Sequence, residues 1–245
     1  MKLGIVSDCH ANLEAMESVW AALDREKPDA VVCLGDMVGY NADPGPVLDQ
    51  VRKRCKVVLA GNHERYQFGT VPDIARDEAK ESAEYTRKNL SAEQNQYIRG
   101  LPTHHLLDMS LLLVHGSVRD PDEYIRSTES MVGNLKRMAK EWLGVNLCFY
   151  GHTHLPMVIT QGRIEGKFEG ERNEVKLERG KTHLINVGSV GQPRDGVALA
   201  AFGVFDSDAY AVTVHRVAYD VDGAMDKVRK AGLPPFLADR LKVGR

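Results

Sequence analysis

Asp8 and His10 stand two positions apart, just beyond the short apolar run over 2–7. An apolar run that gives way to ligand-type side chains returns four more times. Gly35-Asp36 follows Ala30–Leu34, and Gly61-Asn62-His63-Glu64 follows Val57–Ala60. His115-Gly116 follows Leu106–Val114, and Gly151-His152-Thr153-His154 follows Val145–Tyr150. Alone, each has an ordinary explanation: a turn, a helix cap, or a hydrogen-bonded core histidine. His152-x-His154 is the strongest of them, because two imidazoles at that spacing converge readily on a metal. Together the clusters offer two carboxylates, one amide oxygen and at least four imidazoles. Hard oxygen mixed with borderline nitrogen suits Mn, Fe, Co, Ni or Zn, and with Cys9 the one cysteine nearby a thiolate site is disfavoured. Seven or eight donors are too many for one ion and suit two that share a carboxylate. Two such ions, about 3.5–4 Å apart, stabilise both the attacking and the leaving oxygen of an in-line displacement at phosphorus.

The clusters can meet only if the runs before them lie side by side. Leu13, Met16, Val19, Trp20 and Leu23 recur at helical spacing over 12–26, and 46–54 reads as a second helix. Strand and helix thus alternate, the pattern of an α/β layered sheet. Such sheets build their ligand sites beyond the C-terminal ends of the strands, where these clusters fall. Residues 73–100 are charged, rich in helix formers and poor in large apolar side chains. They predict one or two exposed helices, a small helical insertion or cap beside the sheet. Several strands are expected over 157–215, with turns at Gln161-Gly162, Arg179-Gly180 and Asp206-Ser207. Short helices are expected over 222–231 and 236–243, separated by Pro234-Pro235. With no internal repeat and no low-complexity linker, 1–245 reads as a single domain.

Composition narrows the partners. The 245 residues carry 32 Lys+Arg against 34 Asp+Glu, a net charge of -2. A protein that grips a nucleic-acid backbone by bulk charge would be basic, so long nucleic acids are not expected. No apolar stretch approaches the roughly 18 residues of a membrane span, and the N-terminal run is too short for a signal-peptide core. The four cysteines form no Cys-x-x-Cys pair; Cys33 and Cys148 lie in strand-like runs as core residues. A reducing cytoplasm is the expected location.

The series Asp8-x-His10, Gly35-Asp36, Gly61-Asn62-His63-Glu64, His115 and Gly151-His152-x-His154 resembles the calcineurin-like metallophosphoesterase superfamily, in order, over residues 3–154. The segments Gly35-Asp36-Met37-Val38-Gly39-Tyr40, Val114-His115-Gly116-Ser117 and Asn186–Asp195 resemble its compact bacterial and archaeal branch. Small phosphodiesterases and phosphatases make up that branch, some of them acting on symmetrical dinucleoside polyphosphates. The resemblance implies a four-layer α/β/β/α sandwich. It implies that Asp8, His10 and His154 hold a first metal and that Asn62, His115 and His152 hold a second. Asp36 bridges both, and His63 is not a ligand but serves the leaving oxygen. Many relatives have an acidic residue three after the bridging aspartate, where this chain has Gly39.

The expectation is therefore a dinuclear metal-dependent phosphoesterase, with Mn favoured among the divalent ions. A metal-bridging hydroxide would attack phosphodiesters or phosphomonoesters, nucleotide-type substrates such as dinucleoside polyphosphates among them. The alternative is a catalytically silent scaffold on the same fold, and the full ligand set argues against it. Arg119 and Arg194, on loops beyond the strands, are candidates to grip substrate, with Tyr124 and Arg126 close to the first. Segment 73–100 offers either a cap or the surface of a homo-oligomer.

Overall fold

A computed structural model describes residues 1–69, 71–72, 77–166 and 168–245. Two six-stranded mixed sheets face each other. The first contains β1 (Lys2–Val6), β2 (Ala30–Cys33), β3 (Val57–Val58), β9 (Arg172–Lys176), β11 (Ala200–Asp206) and β12 (Ala211–Val217), in the order β3-β2-β1-β11-β12-β9. The second contains β4 (His104–Leu107), β5 (Leu111–Val114), β6 (Leu147–Tyr150), β7 (Met157–Thr160), β8 (Arg163–Glu165) and β10 (His183–Asn186), in the order β4-β5-β6-β10-β7-β8. Strands β1, β2 and β3 run parallel in one sheet, and β5, β6 and β10 in the other. Their C-terminal ends open on one edge of the molecule, where all five sequence clusters come to lie.

Strands buried on both faces need apolar residues at every position. In β5, Leu111 and Leu113 face the other sheet, while Leu112 and Val114 face the helical layer behind; β6 alternates likewise, with Leu147 and Phe149 inward and Cys148 and Tyr150 outward. Helix α1 (Leu13–Glu26), capped by Asn12, buries Met16, Val19, Trp20 and Leu23 on the outer face of the first sheet beside α2 (Pro44–Arg54). Helix α6 (Thr128–Glu141) covers the outer face of the second with Met131 and Met138. The result is the expected four-layer α/β/β/α sandwich. At the C-terminus, α7 (Val221–Lys230) and α8 (Pro235–Val243) pack on each other. No helix among the described residues is long and apolar enough to cross a membrane.

Three local expectations need correction. The run Leu106–Val114 is a hairpin, β4 and β5, not one strand: Asp108 and Met109 both take positive φ, 48° and 57°, and turn the chain. Helix α6 has no counterpart in the sequence reading. The helices α4 (Asp77–Asn89) and α5 (Ala92–Arg99) form where one or two exposed helices were expected and are mostly exposed, but each also has a buried side. Ala79, Ser82, Ala83 and Thr86 give α4 a flat buried face, and Leu90 and Ile98 join the α1–α2 core. The first part of that expected insertion, residues 73–76, lies outside the described residues.

Candidate metal centre

Loops that leave the strands tightly build the centre. Past β1 and β2 the chains stay paired through the backbone, with Asp8 N–H donating to Gly35 O at 3.0 Å, His10 to Asp36 O at 2.9 Å and Ala11 to Met37 O at 2.7 Å. The short helix α3 (Asn62–Arg65) starts directly after β3 and presents Asn62 and His63. Glu64 of that helix is completely buried. Its carboxylate accepts from the N–H of Asp36, Met37, Val38 and Gly61, which ties the β2 loop to the β3 loop.

Asp8, His10 and His154 form one cluster, and Asp36, His115 and His152 another, each with donor atoms within 4.8 Å of one another. In the first, His10 Nε2 is 3.1 Å from His154 Nε2, which is 3.2 Å from Asp8 Oδ1. In the second, His115 Nε2 lies 3.3 Å from Asp36 Oδ2 and 3.2 Å from Asn62 Oδ1. The two clusters join at Asp36, whose Oδ2 is also 3.7 Å from His10 Nε2. All seven residues expected as ligands are thus gathered, with His63 beside them: its ring centroid lies 4.9 Å from that of His10.

Backbone carbonyls fix the imidazole protons. His10 Nδ1 donates to Val38 O at 3.1 Å, His115 Nδ1 to Leu34 O at 2.8 Å and His154 Nδ1 to Gln192 O at 2.5 Å. His152 does the reverse, Nε2 donating to Asp122 O at 3.1 Å. A carbonyl only accepts, so each of these nitrogens carries the proton and the other is a free lone pair in the neutral ring. His10 and His154 then face each other lone pair to lone pair. Acceptor against acceptor at about 3 Å is repulsive unless a cation stands between them. The donor set fits divalent metal ions.

The charges agree. Burial pushes the Asp8 and Asp36 carboxyls up, but the neighbouring imidazoles, His154 for Asp8 and His115 for Asp36, more than offset this and hold both below the usual range. Burial lowers His10, His154, His152 (to about 3) and His63 (to about 4). His115 goes the other way, up to about 9: burial opposes a charge there, but Asp36 prevails. The negative field at His115 Nε2 calls for a cation, and a proton is the smallest that can answer.

Ser7 Oγ donates to Asp8 Oδ2 at 2.6 Å, His152 N–H to Asp8, and His63 N–H to Asp36 Oδ1 at 2.9 Å. Asn186 Nδ2 holds Gly151 O at 2.7 Å, in front of His152. Of the arginines singled out in the sequence, Arg194 lies at the centre, 5.8 Å above the Tyr40 ring that touches His10 and His63. Arg119 is engaged by Glu123 and lines a separate cavity of about 150 Å³ with His104 and Trp142. Its neighbour Arg126 reaches the centre instead, through Thr153 O.

The sequence pattern of the calcineurin-like phosphoesterase superfamily domain matches residues 1–209. An uncharacterized protein of Methanocaldococcus jannaschii is 29% identical over 257 residues, covering 99% of this chain and 98% of its own. The crystal structure of a metallophosphoesterase from Sphaerobacter thermophilus is 33% identical and superposes with a TM-score of 0.87, covering 100% of both chains. A hypothetical protein from Pyrococcus horikoshii shares the fold at 18% identity, with a TM-score of 0.80 over 100% of this chain and 98% of that one.

Proposed function

The chain belongs to the calcineurin-like phosphoesterase superfamily, and on that premise we propose that it hydrolyses phosphate esters at a centre of two divalent metal ions. The observation that carries this reading is the placement of Asp36 Oδ2 between His10 and His115, beside the facing lone pairs of His10 and His154. Asp8, His10 and His154 would hold one ion, Asn62, His115 and His152 the other, and Asp36 both. Such ions, Mn foremost, would supply an activated water and positive charge for the phosphoryl oxygens.

The chain's own residues do the rest. The four carbonyl-anchored imidazoles keep their other ring nitrogens aimed inward without rearrangement. His63, buried and neutral at neutral pH, offers one ring N–H to the leaving oxygen. Its environment suits that task, since Gly39, Tyr40 and Tyr66 pack round the ring and leave Nδ1 without a partner. Phosphodiesters and phosphomonoesters both suit the arrangement, nucleotide-type compounds such as dinucleoside polyphosphates included. The net charge of -2 supports a small ester over a long nucleic acid. The test is hydrolysis of bis(p-nitrophenyl) phosphate by metal-stripped protein supplied with Mn, Ni, Co or Fe. Turnover restored by at least one ion is expected; none with any of the four overturns the proposal.

A further inference from the structure

Two arginines on the rim of the centre have no acidic partner. Arg65, Arg119 and Arg216 each pair with a carboxylate, Asp122, Glu123 and Asp195. Among the described residues Arg126 and Arg194 have none within ion-pair distance. Arg126 is anchored by a neutral contact: Nη2 donates to Thr153 O, between His152 and His154, at 3.3 Å. Its guanidinium lies 4.5 Å from the Tyr124 ring centre, and that ring stacks on His152 at 3.9 Å. Arg194 is anchored likewise, Nη2 donating to Gln192 Oε1 at 2.9 Å. The backbone oxygen of Gln192 orients His154. Arg194 Nε and Gln192 Nε2 are buried without a hydrogen-bond partner.

The two cations also feel each other. Burial first, and then the Arg194 charge, hold the Arg126 guanidinium below its usual value, with Tyr124 acting the other way. Like charges brought together without an acid between them cost energy, and unfilled guanidinium donors cost more. An anion with several acceptor oxygens beside His154, which both anchors flank, would give the two guanidiniums the partner they lack. Tyr124 meanwhile has His152 against it and Arg126 over it, so it is poorly placed to receive a nucleobase.

We propose that Arg126 and Arg194 form a second anion subsite beside the metal centre, so that the substrate carries a further phosphoryl group next to the scissile one. This rests on the phosphoesterase reading of the same centre and narrows its substrate class to phosphoanhydrides. In their hydrolysis the water oxygen bonds to phosphorus. The bridging oxygen leaves with the bonding pair on the second phosphoryl group, and the proton lost by water ends on product or solvent. The charge gathered by the leaving group falls where the guanidiniums stand.

Two non-hydrolysable probes test it by calorimetric titration of the metal-loaded protein: methylenediphosphonate, with two adjacent anionic groups, and methylphosphonate, with one. Both bind metal, so the ratio of their affinities is the readout. Replacing both arginines (Arg126→Ala with Arg194→Ala) is expected to lower the diphosphonate preference by about 10-fold or more, the worth of one charge-assisted contact. Lysine at both positions should recover part of it. Should the double alanine variant fail to fold, Arg126→Ala alone gives the same reading. A ratio unchanged from wild type overturns the subsite. Bis(p-nitrophenyl) phosphate hydrolysis in the same preparation keeps the two ideas apart. Turnover with an unchanged ratio sinks the subsite alone; a lowered ratio without turnover keeps the anion subsite but sinks the esterase reading, and with it the narrowing to phosphoanhydrides.

Discussion

Glu64 is the side chain whose removal should reach furthest. Its Oε2 accepts from Asp36 N at 2.7 Å and Gly61 N at 2.8 Å, and its Oε1 from Met37 N at 2.8 Å and Val38 N at 3.2 Å. Burial and the nearby Asp36 push its pKa up to about 7 against the pull of those donors, so the hydrogen bonds offset only part of the cost of holding the carboxylate there. Hydrogen bonds to a charged acceptor are worth about 1.5–3 kcal/mol each, so a simple sum for four would be about 6–12 kcal/mol. Glu64→Ala also removes the cost of burying the charge and lets water into the gap, which brings the net loss to about 3–5 kcal/mol, the usual cost of breaking a buried charged network. At about 2–4 °C per kcal/mol for a chain of this size, Tm should fall by about 6–20 °C. The assay is thermal unfolding of metal-free protein, so that loss of metal does not enter, followed by metal content after reloading and dialysis. Content should drop too, since the clamp sets where Asp36 stands. Glu64→Gln should recover less than half the loss, because its amide nitrogen would meet two N–H groups that need an acceptor. A Glu64→Ala protein that melts within about 2 °C of wild type and reloads fully would refute the reasoning.

Four further outcomes follow. Asp36→Ala should leave at most one ion per chain by plasma mass spectrometry and no measurable turnover, whereas His63→Ala should keep both ions and lose about 10²–10³-fold in kcat, as removal of a hydrogen-bond donor to developing charge does. Gly39→Ala should also keep its metal yet lose turnover: φ there is +84°, and an added Cβ would lie 2.2 Å from His63 Nδ1, so the ring must move. Far from the centre, burial first, then Arg172, hold His215 below the ordinary imidazole value, with Glu26 opposing. The fold therefore takes up fewer protons than the unfolded chain below about pH 6.5, and stability present above that pH is lost as pH falls. Replacing it (His215→Gln) should reduce the drop in Tm between pH 7.5 and 5.5, and an unchanged drop would contradict this.

The donor set was legible because each ligand follows an apolar run, and parallel strands buried on both faces bring run ends together whatever lies between them. The partners that aim the ligands were not legible. Val38, Leu34, Gln192 and Asp122 act through backbone oxygens, to which residue type is indifferent. Glu64 was visible as a letter in its cluster, but nothing in its spacing tells a ligand from a carboxylate turned back on four backbone N–H groups. Arg119 and Arg126 show the same limit: seven residues apart on one loop, they differ because Glu123 stands where it can take the first. Helix α6 was missed because its buried face rests on Met131, Asn134 and Met138 rather than on a continuous aliphatic stripe.

Backbone strain tells how the centre is maintained. Asp8, His10, Asp36, His152 and His154 all have φ between 45° and 64°, in the left-handed region, and Ala11 and Tyr40 beside them do too. Residues held there cost of order 1 kcal/mol or more each, and they persist only where the surroundings over-determine them. Here the surroundings are the ladder Asp8–Gly35, His10–Asp36 and Ala11–Met37, the Glu64 clamp, and the packing of Gly191 so close to Cys9 that an added Cβ would lie 1.8 Å from its carbonyl oxygen. The left-handed turns after β1, β2 and β6 fold those loops back at once, so that side chains leaving five strand ends point at one volume instead of into solvent. These restraints all come from the chain itself, so divalent ions bound here would meet side chains that the backbone already gathers.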